Sequence, residues 1–142
     1  MVVLLPHQSK NLKKSKVDAR LPYYVTVGNT KIGYGKNYKQ NEYLSFKKAR
    51  KTDLYFHIKD FHGCHVVIFN DHPNQEEMLV ASEIALILSN KSEGSVQYTK
   101  ISNIKKGHHP GEALLDSYQE IVLREVRPTT YELVKSGHRF TD

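Results

Sequence analysis

A chain of 142 residues with 39% hydrophobic and 25% charged side chains is enough for one ordinary domain that buries its own core without metal or disulfide staples. The single cysteine, Cys64, excludes an internal disulfide and fits a reducing compartment. The longest apolar runs, at 66–69 and 84–88, are too short to cross a bilayer, and residues 1–6 lack the basic and apolar stretches of a secretion signal, so a soluble cytoplasmic protein without a membrane partner is expected.

The formal net charge of +6 becomes informative through its distribution. Lys10, Lys13, Lys14, Lys16 and Arg20 face only Asp18 in the first twenty residues. Lys31, Lys36, Lys39, Lys47, Lys48, Arg50 and Lys51 face only Glu42 between 31 and 51. From 52 to 99 the balance turns acidic, and Lys100, Lys105 and Lys106 return it to basic. Charge sorted into blocks is what a protein with one face toward a polyanion and another toward water requires.

In chain order, residues 1–20 show no periodicity and read as a basic arm or linker. Tyr23–Val27 and Lys31–Gly35, separated by Gly28-Asn29, predict a β-hairpin. Tyr43, Leu44, Phe46 and Ala49 recur at helical spacing among lysines and predict a short basic helix at about 40–50. Asp53–Asp60 alternates as a strand, with Leu54, Phe56 and Ile58 on one side and Tyr55, His57 and Lys59 on the other. A turn at 61–64 leads to the buried strand 65–69. Asp71 or Asn74 then caps a helix at about 75–90, with Met78, Ala81, Ile84, Ala85 and Leu88 as its apolar stripe. Further strands are predicted at 96–104, 111–115 and 119–126. No internal repeat or second domain is evident, and 136–142 reads as a tail. The expected fold class is α/β or α+β: a single domain at 21–135 with a mixed, mainly antiparallel sheet, the main helix on one face and function on the other.

Lys36, Lys39, Lys47, Lys48, Lys59, Lys105 and Lys106 are interleaved with Tyr34, Tyr38, Tyr43, Tyr55 and Tyr98. Lysines neutralise phosphates and tyrosines stack on unpaired bases, so the pattern points to RNA; the competing account is a solvated basic face with tyrosines in the core. His57, His62 and His65 with Asp60 and Cys64 offer metal-ligand chemistry, but a single cysteine and no paired C-x-x-C do not reproduce a structural zinc spacing. A His57/Asp60 acid–base pair, or a Cys64 nucleophile beside His65, would be the enzymatic alternative. His108-His109 reads as an extension of a phosphate-binding loop, and no cofactor or metal is implied.

Two longer motifs carry a resemblance. Gly35-Lys36-Asn37-Tyr38-Lys39-Gln40-Asn41-Glu42-Tyr43-Leu44 resembles G-K-N-x-x-Q-N-[DE]-x-L, and Asp53–Val67 resembles D-[LI]-[WY]-[FL]-H-x-K-D-x-x-G-[SC]-H-V-[VI]. With Ala81–Ala85, Tyr98-Thr99, Ile104–Lys106 and Pro110-Gly111 following in order, about 23–126 resembles the NFACT-R (NFACT RNA-binding) domain of the RqcH/NEMF ribosome-quality-control family, some of whose members are called fibronectin- or fibrinogen-binding. His62 stands where the family commonly has Pro, Cys64 where it commonly has Ser, and the loop from Lys106 to Pro110 is shorter.

The resemblance implies a non-enzymatic module that binds tRNA or rRNA of the large ribosomal subunit and serves rescue of stalled ribosomes. Its nucleic-acid-binding set would be Lys36, Asn37, Lys39, Gln40, Asn41, His57, Lys59, Asp60, Gly63, His65, Lys105 and Lys106, with His57 on a backbone phosphate or ribose. The larger family proteins carry an N-terminal domain, a helix-hairpin-helix module and a coiled coil. A stand-alone member or C-terminal fragment is therefore expected, with an N-terminal NFACT-type partner in trans as one arrangement. Adhesion to a host matrix protein is the alternative that the names of some relatives imply.

Overall fold

The computed structural model describes residues 18–139, so most of the expected basic arm and the last three residues of the tail lie outside the described residues. Strands β1 (Tyr23–Val27) and β2 (Thr30–Tyr34) form the expected hairpin, turned by Gly28 at a left-handed φ of 60°. Helix α1 (Tyr38–Tyr43) runs into one π-helical turn at Leu44–Lys48, followed by β3 (Leu54–Ile58) and β4 (Val66–Ile68). Helix α2 (Gln75–Leu88), β5 (Gly94–Lys100), β6 (Ile104–Lys106), β7 (Ala113–Leu115), β8 (Gln119–Leu123) and α3 (Pro128–Lys135) complete the chain.

Six strands form one sheet in the order β1-β2-β4-β3-β5-β8, every neighbouring pair antiparallel, while β6 and β7 make a separate ribbon. Alternation along β3 sorts its side chains as the sequence predicts: Leu54, Phe56 and Ile58 join the core under α2, with Ile32, Val66, Ile68, Ala81, Ile84 and Val96. Tyr55 and Val67 point the other way into a smaller core with Leu44, Ile101 and Ile104. The face opposite α2 is therefore largely roofed by the π turn and the β6–β7 ribbon, so a functional surface on that side is made by the roofing elements and the cleft beside them. Tyr34, in the core on the α2 side, and Tyr55, under the roof, are 0% and 1% exposed and so leave the candidate stacking residues.

Two further expectations change. The strand predicted at 96–104 breaks at a 3-10 turn, Ile101–Asn103, where the Ile101 and Ser102 N–H groups donate to the Asp53 and Lys51 carbonyls at 2.9 and 3.0 Å. Those bonds carry the chain over the end of β3 and let Ile101 and Ile104 bury on the other face. Helix α3 was not anticipated; its start signal is Pro128 in the first helical turn, where a missing N–H costs nothing.

Asn74 caps α2 with a full capping box: its Oδ1 accepts from the Glu77 N–H at 2.8 Å, and Glu77 Oε1 accepts from the Asn74 N–H at 3.1 Å. Helix α3 is tied to α2 by Glu83, 1% exposed, whose carboxylate accepts from the Arg127 backbone N–H at 2.9 Å, its guanidinium at 2.9–3.3 Å, and the Thr130 hydroxyl. Burial pushes the Glu83 carboxyl upward, but these donors together outweigh it and hold the group below its ordinary value. At the chain's far end, His138 bridges to Tyr24 and the Arg139 guanidinium donates to the Leu21 and Asp18 carbonyls.

Candidate nucleic-acid interface

The Gly35–Asn41 motif is first of all a piece of construction. Asn37 caps α1 by accepting from the Gln40 N–H at 3.0 Å, and Gln40 reaches back so that its Oε1 accepts from the Lys36 N–H at 2.8 Å. Asn41 Oδ1 accepts from the His65 N–H at 3.1 Å, while the Gly35 N–H donates to the His65 carbonyl at 3.0 Å. Gln40 and Asn41 are both buried: Asn41 ties α1 to His65 just before β4, while Gln40 closes the motif on itself. The π turn, closed by Ala49 N–H to Leu44 C=O at 2.9 Å, then turns both Leu44 and Ser45 inward.

Ser45 Oγ lies 2.7 Å from His65 Nδ1, and His65 is 2% exposed. Burial holds its imidazole down to about 3, with His57 adding to the shift, so His65 is neutral at pH 7. His57 stacks on Tyr55 with ring centroids 6.3 Å apart and meets His65 edge-on at 5.9 Å. Burial also holds the His57 imidazole below its ordinary value.

Below pH 6.5 the unfolded chain takes up protons that these two folded histidines refuse. The penalty is absent above 6.5 and grows as pH falls, by up to about 1.4 kcal/mol per pH unit for each group. Urea unfolding at pH 5.5 should accordingly give a stability roughly 1–2 kcal/mol below that at pH 7, in a window above most carboxylate titration. The difference should shrink in His65→Gln, and equal stabilities at the two pH values would remove the account.

His57, Asp60, Gly63 and His65, from β3 and the segment that joins it to β4, face Tyr38 and Asn41 of α1 and the 109–113 loop across a cleft of about 570 Å³. Asp60 holds the turn at a left-handed φ of 64°. Gly111, at φ 78°, lies so close to Tyr38 that a Cβ there would sit 2.8 Å from the Tyr38 Cα and carbonyl oxygen, and its N–H donates to Glu42 Oε1 at 3.1 Å. Next to the cleft, and sharing Tyr38 and Pro110 with it, a groove of about 450 Å³ contains Arg20, Lys39 and Lys47 alongside Asp18 and Glu42.

The remaining predicted lysines stand outside both hollows. Lys106 Nζ lies 3.4 Å from Glu42, Lys105 Nζ 4.0 Å from Asp116 and Lys59 Nζ 2.8 Å from Glu120. Lys36 Nζ stands 4.2 Å over the Tyr23 ring. Lys105 and Lys106 are exposed, and such surface pairs contribute about 0–1 kcal/mol, little enough for a phosphate to replace the carboxylate.

Cys64 is not poised as a nucleophile, because its thiol points 3.9 Å from the Leu88 carbonyl and burial pushes it up. Among the described residues no group of three or more His, Cys, Asp or Glu side chains is placed to hold a metal ion. Phe61 and Gln97, unremarked in the sequence, both line the cleft. The signal for Phe61 was an aromatic side chain in a turn otherwise made of small and polar residues.

A model of the NFACT protein RNA binding domain matches residues 20–117. The chain belongs to the NFACT RNA-binding family. Over 139 residues this NFACT domain is 36% identical to the Rqc2 homolog RqcH of Bacillus subtilis, covering 94% of the chain and 24% of that protein. It is 37% identical over 105 residues to the Rqc2 homolog RqcH of Streptococcus suis, covering 73% of the chain and 18% of that protein. The chain thus spans about a quarter or less of the length of these relatives. A solved structure of the C-terminal part of the fibronectin/fibrinogen-binding protein from Streptococcus suis is similar at a TM-score of 0.71 and 28% identity, over 79% of this chain and 48% of that one. Among the described residues, no helix is long and apolar enough to cross a membrane.

Proposed function

We propose that this NFACT domain is a non-enzymatic RNA-binding module that grips tRNA or rRNA on the large ribosomal subunit in the cytoplasm and serves quality control of stalled ribosomes. The observation that carries the reading is the groove holding Arg20, Lys39 and Lys47 beside the motif-built cleft, with Lys105 and Lys106 on the neighbouring ribbon. Cations gathered on one side of a rigid sheet neutralise phosphates and release counterions, while Tyr38 supplies a stacking surface. Besides Arg20, Lys47 and Tyr38 of the groove, the proposed contact set is Lys36, Asn37, Lys39, Gln40, Asn41, His57, Lys59, Asp60, Gly63, His65, Lys105 and Lys106, with Gln40, Asn41 and His65 acting by holding the others in place.

Affinity for tRNA should fall steeply between low and physiological salt. Replacing Lys105 and Lys106 together by alanine should weaken binding and lower the slope of log K against log salt by about 1.4–1.8, at about 0.7–0.9 for each phosphate left without its lysine, with thermal stability retained. An unchanged slope would take the ribbon out of the interface. The name of the Streptococcus suis neighbour supplies a second reading. Salt-insensitive binding to immobilised fibronectin, with no affinity for RNA, would favour that one.

A further inference from the structure

The cleft and the groove beside it differ in chemistry. Four imidazoles, from His57, His62, His65 and His109, line the cleft with Gln97, Asp60 and Glu112; among the described residues no lysine or arginine does. Glu112 is held ionised, its carboxyl lowered chiefly by the backbone N–H of His109, which donates to its Oε1 at 3.2 Å. A phosphate entering this space would meet two carboxylates and no permanent cation. The groove across Tyr38 and Pro110 has Arg20, Lys39 and Lys47.

We propose that the cleft receives an unpaired base of the bound RNA, whose phosphates run along the adjoining basic groove with Tyr38 on the ridge between them. The inference rests on the RNA-binding reading and deepens it. The volume of about 570 Å³ is in the range of pockets that enclose small flat ligands. Phe61 and Tyr38, 57% and 53% exposed, present large aromatic faces at the cleft, and an exposed ring in a basic neighbourhood is a stacking platform for any base. Lys91 Nζ lies 4.0 Å over the Phe61 ring, an attraction that favours this placement of a residue that stays 57% exposed.

Polar chemistry agrees. A neutral imidazole has one donor and one acceptor; His57 is kept neutral by burial, and with backbone partners at Ile58 and Gly63 it offers a ligand its remaining ring nitrogen. With the Gln97 amide it matches the mixed donor and acceptor edge of a base, where a phosphate needs donors only. Neither Phe61 nor Gln97 belongs to the lysine-rich set, and the placement shifts His57 from a phosphate toward a base edge.

The test uses the full chain and three probes: an oligoadenylate decamer, an abasic ribose-phosphate decamer, and a blunt RNA duplex with the same number of phosphates. The oligoadenylate should bind roughly tenfold tighter than the abasic strand, within the range that one stacked base supplies. Phe61→Ala and Tyr38→Ala, both at exposed positions, should each bring the oligoadenylate-to-abasic ratio down toward one. Equal binding of all three probes by the wild-type chain would overturn the base cleft and leave the basic groove standing, without recourse to any variant. An oligoadenylate preference that survives both substitutions would also overturn it, by placing the base elsewhere. Binding to tRNA but to none of the probes would overturn the cleft alone, and binding to neither would overturn the RNA-binding reading with it.

Discussion

Replacing Arg127 by methionine is expected to cost about 3 kcal/mol, the low end of the range for removing one partner of a buried ion pair, because Glu83 is buried while the Arg127 side chain is 34% exposed. Glu83 keeps its place at 1% exposure because the Arg127 guanidinium and backbone and the Thr130 hydroxyl supply its hydrogen bonds. Without the guanidinium, the buried carboxylate keeps only the residue-127 backbone N–H and the Thr130 hydroxyl as donors, and a charge left so thinly compensated favours taking up a proton or loosening α3. Thermal unfolding should move down by roughly 10–15 °C for a domain of this size. A Glu83→Leu, Arg127→Met pair should recover most of the loss, since matched apolar replacement removes the charge with its partner. A single variant as stable as wild type would mean that the Arg127–Glu83 pair contributes nothing to holding α3.

Gly35→Ala is the second large effect. No left-handed backbone is involved; what matters is room. A Cβ at residue 35 would fall 2.4 Å from Asn41 Oδ1 and 2.8 Å from the Asn41 backbone nitrogen, and the latter is fixed in α1. Relief requires α1 to lift from β2 and β4, which breaks the Asn41–His65 hydrogen bond and leaves the buried His65 N–H without its acceptor. Overpacking contributes about 1–3 kcal/mol, and the orphaned donor a further 1–3 or so. Because α1 also carries Tyr38 and Lys39, stability and RNA affinity should drop together. That pattern separates a motif that builds the site from the Lys105/Lys106 pair, where affinity should fall alone. A Gly35→Ala protein with normal stability would show that the close approach is not needed.

Local pattern carried the elements whose signals are local. The period-two alternation of 53–60 placed Leu54, Phe56 and Ile58 under the main helix, and Asn74 with Glu77 marked the start of that helix. Failures came where a distant partner decides the outcome. Tyr55 reads as an outward residue on its strand, but whether outward means solvent depends on Leu44, Ile101 and Ile104 arriving from elsewhere. The break at Ile101 depends on carbonyls of Lys51 and Asp53, about fifty residues earlier, and no window of sequence contains both.

The same division holds for the site. Lysine blocks were visible as composition, and the resemblance singled out His57, Gly63 and His65, all of which line the cleft with Asn41 and Asp60. What the motifs did not convey is that Gln40, Asn41 and His65 are buried or that Lys39 lies across a ridge from His57. Phe61, Gln97 and Glu112 reach the cleft from three separate segments, and only the folded sheet makes them neighbours.

The Arg139 guanidinium bonds to the carbonyls of Asp18 and Leu21 at 3.0 and 3.1 Å, so the chain enters and leaves the described body at one corner. Flanking segments attached at both ends would start side by side, and the body would hang from them like a tag from a single cord. Its orientation relative to a preceding segment can change without stretching a succeeding one. For the same reason a short peptide joining the two ends should close the body into a ring, and fresh termini opened at the exposed Asp71-His72 turn would leave the cleft untouched.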